Sequence, residues 1–234
     1  MISDEQKNEV RQYLLSKKLP LDILIEVEDH VINQLEEVLL RNKVSFEDAF
    51  MQVKGLWQED LQTEKYYNGN EIASFAKKIK DRETSKAFRK ALLSVFLYVG
   101  FTFALSKIIS KELFLHYFSY HFYLFWLVAV VFYLMNYKIY KKVHKYKSTK
   151  FSVFQNSIFF LSFSSVVFYF IAGNFSFYGA GILDFFNGNI DNFTFLVVIM
   201  IVALFYFFGF YQELKFVNVM NKLKDRLVGF NIQF

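Results

Sequence analysis

Apolar positions follow two different patterns along this chain. Residues 1–90 mix apolar and charged positions at helical spacing, whereas residues 91–234 contain long apolar runs with few charges. Four runs approach the length of about twenty residues that crosses a hydrocarbon core of about 30 Å. They cover residues 91–109, 118–135, 152–172 and 193–210. The pattern predicts an all-α protein in which a small cytoplasmic helical domain precedes a bundle of four transmembrane helices.

The amino-terminal part is predicted to form three helices. Pro20 separates the first from the second, because proline is tolerated where a helix begins. Ser45 caps the third helix, with Asp48 in the capping-box position, and the turn signal at 68–70 ends it. The predicted boundaries are a three-helix domain at 1–68, a connecting helix at 69–90 that continues into the first span, the bundle at 91–212, and a cytoplasmic tail at 213–234.

Basic residues predict the orientation of the spans. Positive charge gathers before the first span and between the second and third, where the connection carries Lys138, Lys141, Lys142, Lys145, Lys147 and Lys150. The loop at 173–192 has no basic residue and is expected to lie at the opposite interface. The positive-inside rule therefore places both termini in the cytoplasm. The bias towards Phe, Lys, Ile and Asn resembles translation of an AT-rich bacterial genome, so the bacterial inner membrane is the expected location. The six lysines either bind lipid headgroups or only set this topology. An alternative is that the third segment is a re-entrant or peripheral helix.

Composition narrows the functional classes. Apolar residues make up 54% of the chain, aromatic residues 21%, and cysteine is absent, which excludes disulfides and thiolate chemistry. Residues 1–90 hold 15 Lys and Arg against 17 Asp and Glu, so the net charge of +5 comes from the membrane part and does not indicate nucleic-acid binding. No acid or arginine occurs in the four predicted spans. Because transporters carry ionisable groups inside the bundle, a coupled transporter is disfavoured.

Three short motifs resemble a known family. They are Leu19-Pro20, Glu28-Asp29-His30 and the run Ser45-Phe46-Glu47-Asp48-Ala49-Phe50. The pattern over residues 5–62 resembles the HAAS or DUF1700 type of helical domain, found at the amino terminus of bacterial multi-pass membrane proteins that are often encoded beside PadR-like regulators. Many relatives have Gly before the third motif and another Gly near its end. Val44 and Gly55 stand in this region here, so the first turn departs from the pattern. The resemblance implies a signalling or assembly role and transfers no catalytic residue.

Candidate chemistry in the sequence is sparse. Glu26 and His30 lie four residues apart beside Asp29 and could hold a metal with another ligand, but no second cluster completes such a site. His116 and His121 point about 140° apart on a helix, so one haem iron cannot take both. Nucleotide-binding, zinc-protease and nucleophile motifs are missing, and no cofactor is predicted.

The predicted function is therefore non-enzymatic. The helical domain is expected to dock a protein partner on the cytoplasmic side for signalling, regulation or assembly, with Glu26, Asp29, His30 and Trp57 as candidate docking residues. Membrane lipids are further expected partners, and a homo-oligomer is possible. The alternative is a small oligomeric channel or lipid-handling protein that uses the polar face of the third span, including Gln155 and Asn156.

Overall fold

The computed structural model describes residues 2–65, 71–146, 150–155, 158–224 and 226. The helices in this part are α1 (Asp4–Ser16), α2 (Leu21–Asn42), α3 (Phe46–Leu56), α4 (Ser74–Ile108), α5 (Lys111–Met135), α6 (Tyr137–Lys145), α7 (Ile158–Gly173), α8 (Phe175–Phe186) and α9 (Phe193–Leu223). A short antiparallel pair, β1 (Thr63–Lys65) and β2 (Glu71–Ala73), lies between α3 and α4. The predicted all-α fold class is confirmed.

The chain divides into two compact units. Unit 1 comprises Met1–Glu83, Val143–Gln155 and Val219–Phe234, and unit 2 comprises Thr84–Lys142 and Asn156–Asn218.

Side-chain caps define two helix starts in unit 1. The hydroxyl of Ser3 accepts a hydrogen bond from the backbone N–H of Gln6, and the side-chain oxygen of Gln6 accepts one from the backbone N–H of Ser3. The Ser45 hydroxyl accepts from the backbone N–H of Asp48 at 3.1 Å, which confirms the predicted cap of α3. Each cap satisfies a backbone donor that a helix start leaves without an intrahelical partner.

The core of unit 1 is mainly aliphatic. Its fully buried members come from α1, α2 and α3 and are Val10, Leu14, Leu24, Val27, Leu35, Ala49 and Val53. Beside this core the Glu28 side chain, 7% exposed, accepts hydrogen bonds from the Arg11 guanidinium, the shortest at 2.8 Å. The charge of Glu28 is thus compensated where burial removes it from water.

The region after α3 differs from the prediction. The helix ends at Leu56, and the connecting helix begins only at Ser74, because the intervening chain pairs β1 with β2. The predicted terminator at 68–70 lies outside the described residues. Its Asn-Gly dipeptide stands between the two strands in the sequence and is itself a hairpin signal. The predicted continuity of α4 from the connecting segment into the first apolar run is confirmed.

Three helical segments are long and apolar enough to cross a membrane: α4, α5 and the segment Ile190–Leu223. Helix α7 and the part of α8 at Ser176–Phe186 make a fourth if they are one span, with a bend of 87° between them. A bent pair of this kind is either a broken span or a re-entrant loop, so the re-entrant alternative for the third segment stays open.

The core of unit 2 is aromatic. Phe114, Phe118 and Phe122 follow one face of α5 at intervals of four residues and are fully buried. The ring of Phe122 lies 4.8 Å from that of Phe168 on α7. At the contact between α7 and α9, a Cβ added to Gly209 would lie 2.5 Å from the backbone nitrogen of Leu161. These two helices therefore approach backbone to backbone, as small residues allow in membrane bundles.

Two predicted connections and one predicted span have a different structure. The lysine-rich connection contains helix α6. In place of the span predicted at 152–172, helix α7 begins at Ile158, and residues 152–155 belong to unit 1. The loop predicted at 173–192 contains helix α8 and a short 3-10 turn at Ile190–Asn192. Glycine permits a close contact in this segment, since a Cβ at Gly181 would lie 2.5 Å from the Phe195 ring.

Candidate functional site

Helix α2 presents three of the predicted docking residues on one exposed face. Glu26, Asp29 and His30 are all exposed, and their spacing of three and four residues places them together on the helix surface. The guanidinium of Arg226, from the carboxyl-terminal segment of unit 1, donates to the Asp29 carboxylate at 2.6 Å. Both side chains are 57% exposed. We call Glu26, Asp29 and His30 the α2 face.

Trp57, the fourth predicted docking residue, is held within unit 1. Its indole N–H donates to the side-chain oxygen of Gln34 at 2.7 Å, and its ring packs edge-on against Phe75. The side chain is half-buried at the end of α3. The structure therefore brings together three of the four candidates and gives Trp57 a structural role.

The start of α2 binds a second segment of the chain. The backbone N–H groups of Leu21 and Asp22 donate to the carbonyls of Lys150 and Phe151 at 2.9 and 3.1 Å. Phe151 and Ser152 are buried. These carbonyls satisfy two donors of a helix start whose cap, Pro20, offers no side-chain bond. The segment 150–155 is thus docked on unit 1, although its sequence predicted part of a membrane span.

Burial of the Asp22 carboxyl at this contact changes its acidity. Desolvation, with a smaller contribution from the nearby charge of Glu26, raises the pKa of Asp22 from 3.8 to about 6. A hydrogen bond from Ser152 acts in the opposite direction but is outweighed. Asp22 is therefore the acid of this contact that titrates near neutral pH.

Unit 2 contains a polar cluster that sequence reasoning missed. His121 lies within the predicted second span, where it places an ionisable side chain inside the bundle. One ring nitrogen shares a hydrogen bond with the Tyr98 hydroxyl at 2.5 Å, and the other bonds the Tyr117 carbonyl at 2.9 Å. Both nitrogens have protein partners, which leaves neither for a metal or haem in this structure.

A fully buried carboxylate anchors helix α6. Glu213 on α9 accepts a hydrogen bond from the Tyr140 hydroxyl at 2.6 Å, and Tyr140 stacks on Tyr133 with ring centres 5.0 Å apart. Burial, together with the carboxylate of Glu213, raises the pKa of Tyr140 above its usual range. The phenol therefore stays protonated and donates. Pairing between these two residues, 73 positions apart, left no local signal in the sequence.

The predicted lysines occupy different settings. On α6, Lys138, Lys141 and Lys145 are exposed, whereas Lys142 is half-buried. The exposed Lys150 belongs to the segment that contacts α2, and Lys147 lies outside the described residues. The structure thus concentrates the basic side chains on a helix and not on a loop.

Polar side chains of the predicted third span bond locally. Gln155 lies before α7 and accepts from the backbone N–H of Phe151 at 2.9 Å, while Asn156 is outside the described residues. The hydroxyls of Ser164 and Ser165 donate to carbonyls three or four residues earlier in α7. These polar groups are thus satisfied by backbone partners close in the sequence.

No group of three or more His, Asp or Glu side chains in the described ranges is arranged to hold a metal ion. Comparison of the chain with protein-family models, with curated proteins and with solved structures finds no match. The function is therefore argued from the geometry of the chain itself.

Proposed function

We propose that this chain is a non-enzymatic, multi-pass protein of the bacterial inner membrane whose unit 1 docks a protein partner in the cytoplasm through the α2 face. The role of that docking is signalling, regulation or assembly of a complex. The observation that carries the proposal is the contact between Asp29 and Arg226, in which an exposed acidic surface already holds a guanidinium of its own chain. The partner is accordingly a protein segment that presents a basic side chain.

The ion pair between Asp29 and Arg226 is weak enough for a partner to displace Arg226. An ion pair between two exposed side chains contributes about 0–1 kcal/mol, because water and salt screen it and both side chains lose conformational freedom. A partner that brings two or more basic groups to Glu26 and Asp29 displaces Arg226 at small cost. Arg226 then acts as a weak internal competitor.

Charge distribution supports the proposed placement of unit 1. Basic residues precede the first apolar run and recur along α6, whereas the connection between α7 and α9 contains no Lys or Arg. By the positive-inside rule, residues before α4 and those of α6 lie in the cytoplasm. The likeness of residues 5–62 to the HAAS or DUF1700 domains points to the same signalling or assembly class.

Site-specific photo-crosslinking in cells tests the proposal. A photoreactive amino acid replaces His30 on the α2 face or, as the control, the exposed Gln12 on α1. We expect a discrete heteromeric product from position 30 that is absent from position 12 and is lost in the variant Asp29→Asn.

Products of equal yield at both positions, or only the chain crosslinked to itself, would contradict docking of another protein. The variant Arg226→Gln provides a further check, since removal of the competitor is expected to increase the product at position 30 by a few-fold.

A further inference from the structure

From the end of α5 to the start of α6, the exposed side chains change from apolar to aromatic to basic. Leu134 and Met135 are 63% and 80% exposed at the carboxyl end of a helix able to cross a membrane. Tyr137, also exposed, follows them, and the exposed Lys138 and Lys141 come within the next turn. Apolar, aromatic and basic side chains in this order are typical of the passage from hydrocarbon to headgroups.

The opposite side of α6 is fixed to unit 2. Ile139 is buried, and Tyr140 is bonded to the buried Glu213 on α9. Lys138 and Lys141, three residues apart, therefore stand on a helix whose rotation is held by a hydrogen bond to a carboxylate. The run 133–142 contains no acid, and the Glu213 carboxylate is engaged by Tyr140. Among the described residues, no acidic side chain forms an ion pair with Lys138 or Lys141, so this exposed pair is basic.

We infer that Tyr137, Lys138 and Lys141 form a binding site for the headgroup of an anionic phospholipid. The two ammonium groups attract the phosphate and any further negative charge of the headgroup, and the Tyr137 ring lies at the level of the glycerol region. The acyl chains extend along the exposed end of α5, where Leu134 and Met135 supply the apolar contact. The inference rests on the proposed placement of α5 in a membrane and is independent of the protein partner.

Lysines that only set the topology of the chain and lysines that bind a lipid are expected to behave differently after purification. If the lysines only direct insertion, their effect ends once the chain is in the membrane. A lipid site, in contrast, remains detectable in the purified protein. Native mass spectrometry of the full chain in neutral detergent, titrated with equal amounts of dioleoylphosphatidylglycerol and dioleoylphosphatidylcholine, separates the two.

We expect wild-type protein to retain phosphatidylglycerol preferentially. Since each lysine contributes about fivefold, the double variant Lys138→Gln and Lys141→Gln is expected to lose about twenty-fivefold in relative affinity. The arginine double variant at these positions keeps the charge and is expected to keep the preference. The control is Lys43→Gln with Lys65→Gln, which removes the same charge from exposed positions of unit 1.

Two results would overturn the inference. One is an unchanged lipid preference in the glutamine double variant at positions 138 and 141. The other is an equal loss of preference in the control, which would show that only the net charge of the protein determines lipid binding. A folded arginine variant without the preference would also count against it. A preserved lipid preference beside a failed crosslink at position 30 would reject the proposed docking and leave the lipid site standing.

Discussion

The two units use apolar residues in opposite ways. Unit 1 buries an aliphatic core and surrounds it with ion pairs, such as Lys77 with Glu64 and Lys78 with Asp60. Unit 2 buries phenylalanine rings and still exposes large apolar side chains, including Phe96, Leu97 and Leu127. Exposed apolar surface of this extent fits a lipid environment, in which burial of such groups between helices gains little. Stability is therefore expected to depend on charge compensation in unit 1 and on close helix contact in unit 2.

The largest expected effect comes from breaking the buried ion pair of unit 1. Arg11→Ala leaves the Glu28 carboxylate in a poorly hydrated site and is expected to lower the free energy of opening of α2 by about 3 kcal/mol. Hydrogen exchange of α2 amides in the full chain measures this value separately from unit 2.

Arg41→Ala is the matched control for that substitution. Arg41 pairs with Glu37 at an exposed position one turn away on the same helix, so about 0.5 kcal/mol or less is expected. Equal losses in the two variants would show that Glu28 is not compensated by Arg11 in the way the geometry implies.

The contact between α2 and segment 150–155 is expected to depend on pH. Asp22 has a raised pKa of about 6 in the folded state, so the folded state binds more protons than the open state between pH 4 and 6. The free energy of opening is therefore highest below about pH 4, falls as the pH rises through 6, and stays low above pH 7. The rise from 3.8 to about 6 limits the change to about 3 kcal/mol.

Exchange rates of the Leu21 and Asp22 amides, corrected for intrinsic pH dependence, measure this change. Asp22→Asn cannot titrate and is expected to give a flat profile. A wild-type profile that is equally flat, or that rises with pH, would contradict the sign of the effect.

A smaller loss of stability is expected when the contact between α7 and α9 in unit 2 is disrupted. Gly209→Ala forces a methyl group against the backbone of Leu161, and the two helices must separate, at a cost of about 2 kcal/mol. Gly100→Ala is the control, because no atom lies within 4 Å of a Cβ there. The thermal midpoint of the full chain in detergent is expected to fall only in the first variant, and an equal midpoint in both would refute close contact at Gly209.

Local signals explain which parts of the fold were predictable. The Ser45 cap and the unbroken α4 depend on neighbouring residues and were predicted. The docking of segment 150–155, the bond between Tyr140 and Glu213, and the cluster at His121 depend on residues far apart in the chain, which a single sequence does not reveal. Helix α8 was not predicted, and its Gly179 and Gly181 lie at close contacts with side chains distant in the sequence. The α2 face was predicted because helical spacing alone brings its residues together, while its partner Arg226 was not.

One labelling experiment tests most directly whether unit 2 faces lipid and unit 1 faces water. The chain has no cysteine, so Met51→Cys on α3 and Leu97→Cys on α4 each introduce a single thiol at positions of similar exposure, 73% and 66%. In lipid nanodiscs a membrane-impermeant maleimide is expected to label position 51 rapidly and position 97 very slowly, with equal labelling after denaturation. Rapid labelling of position 97 in nanodiscs would contradict the account.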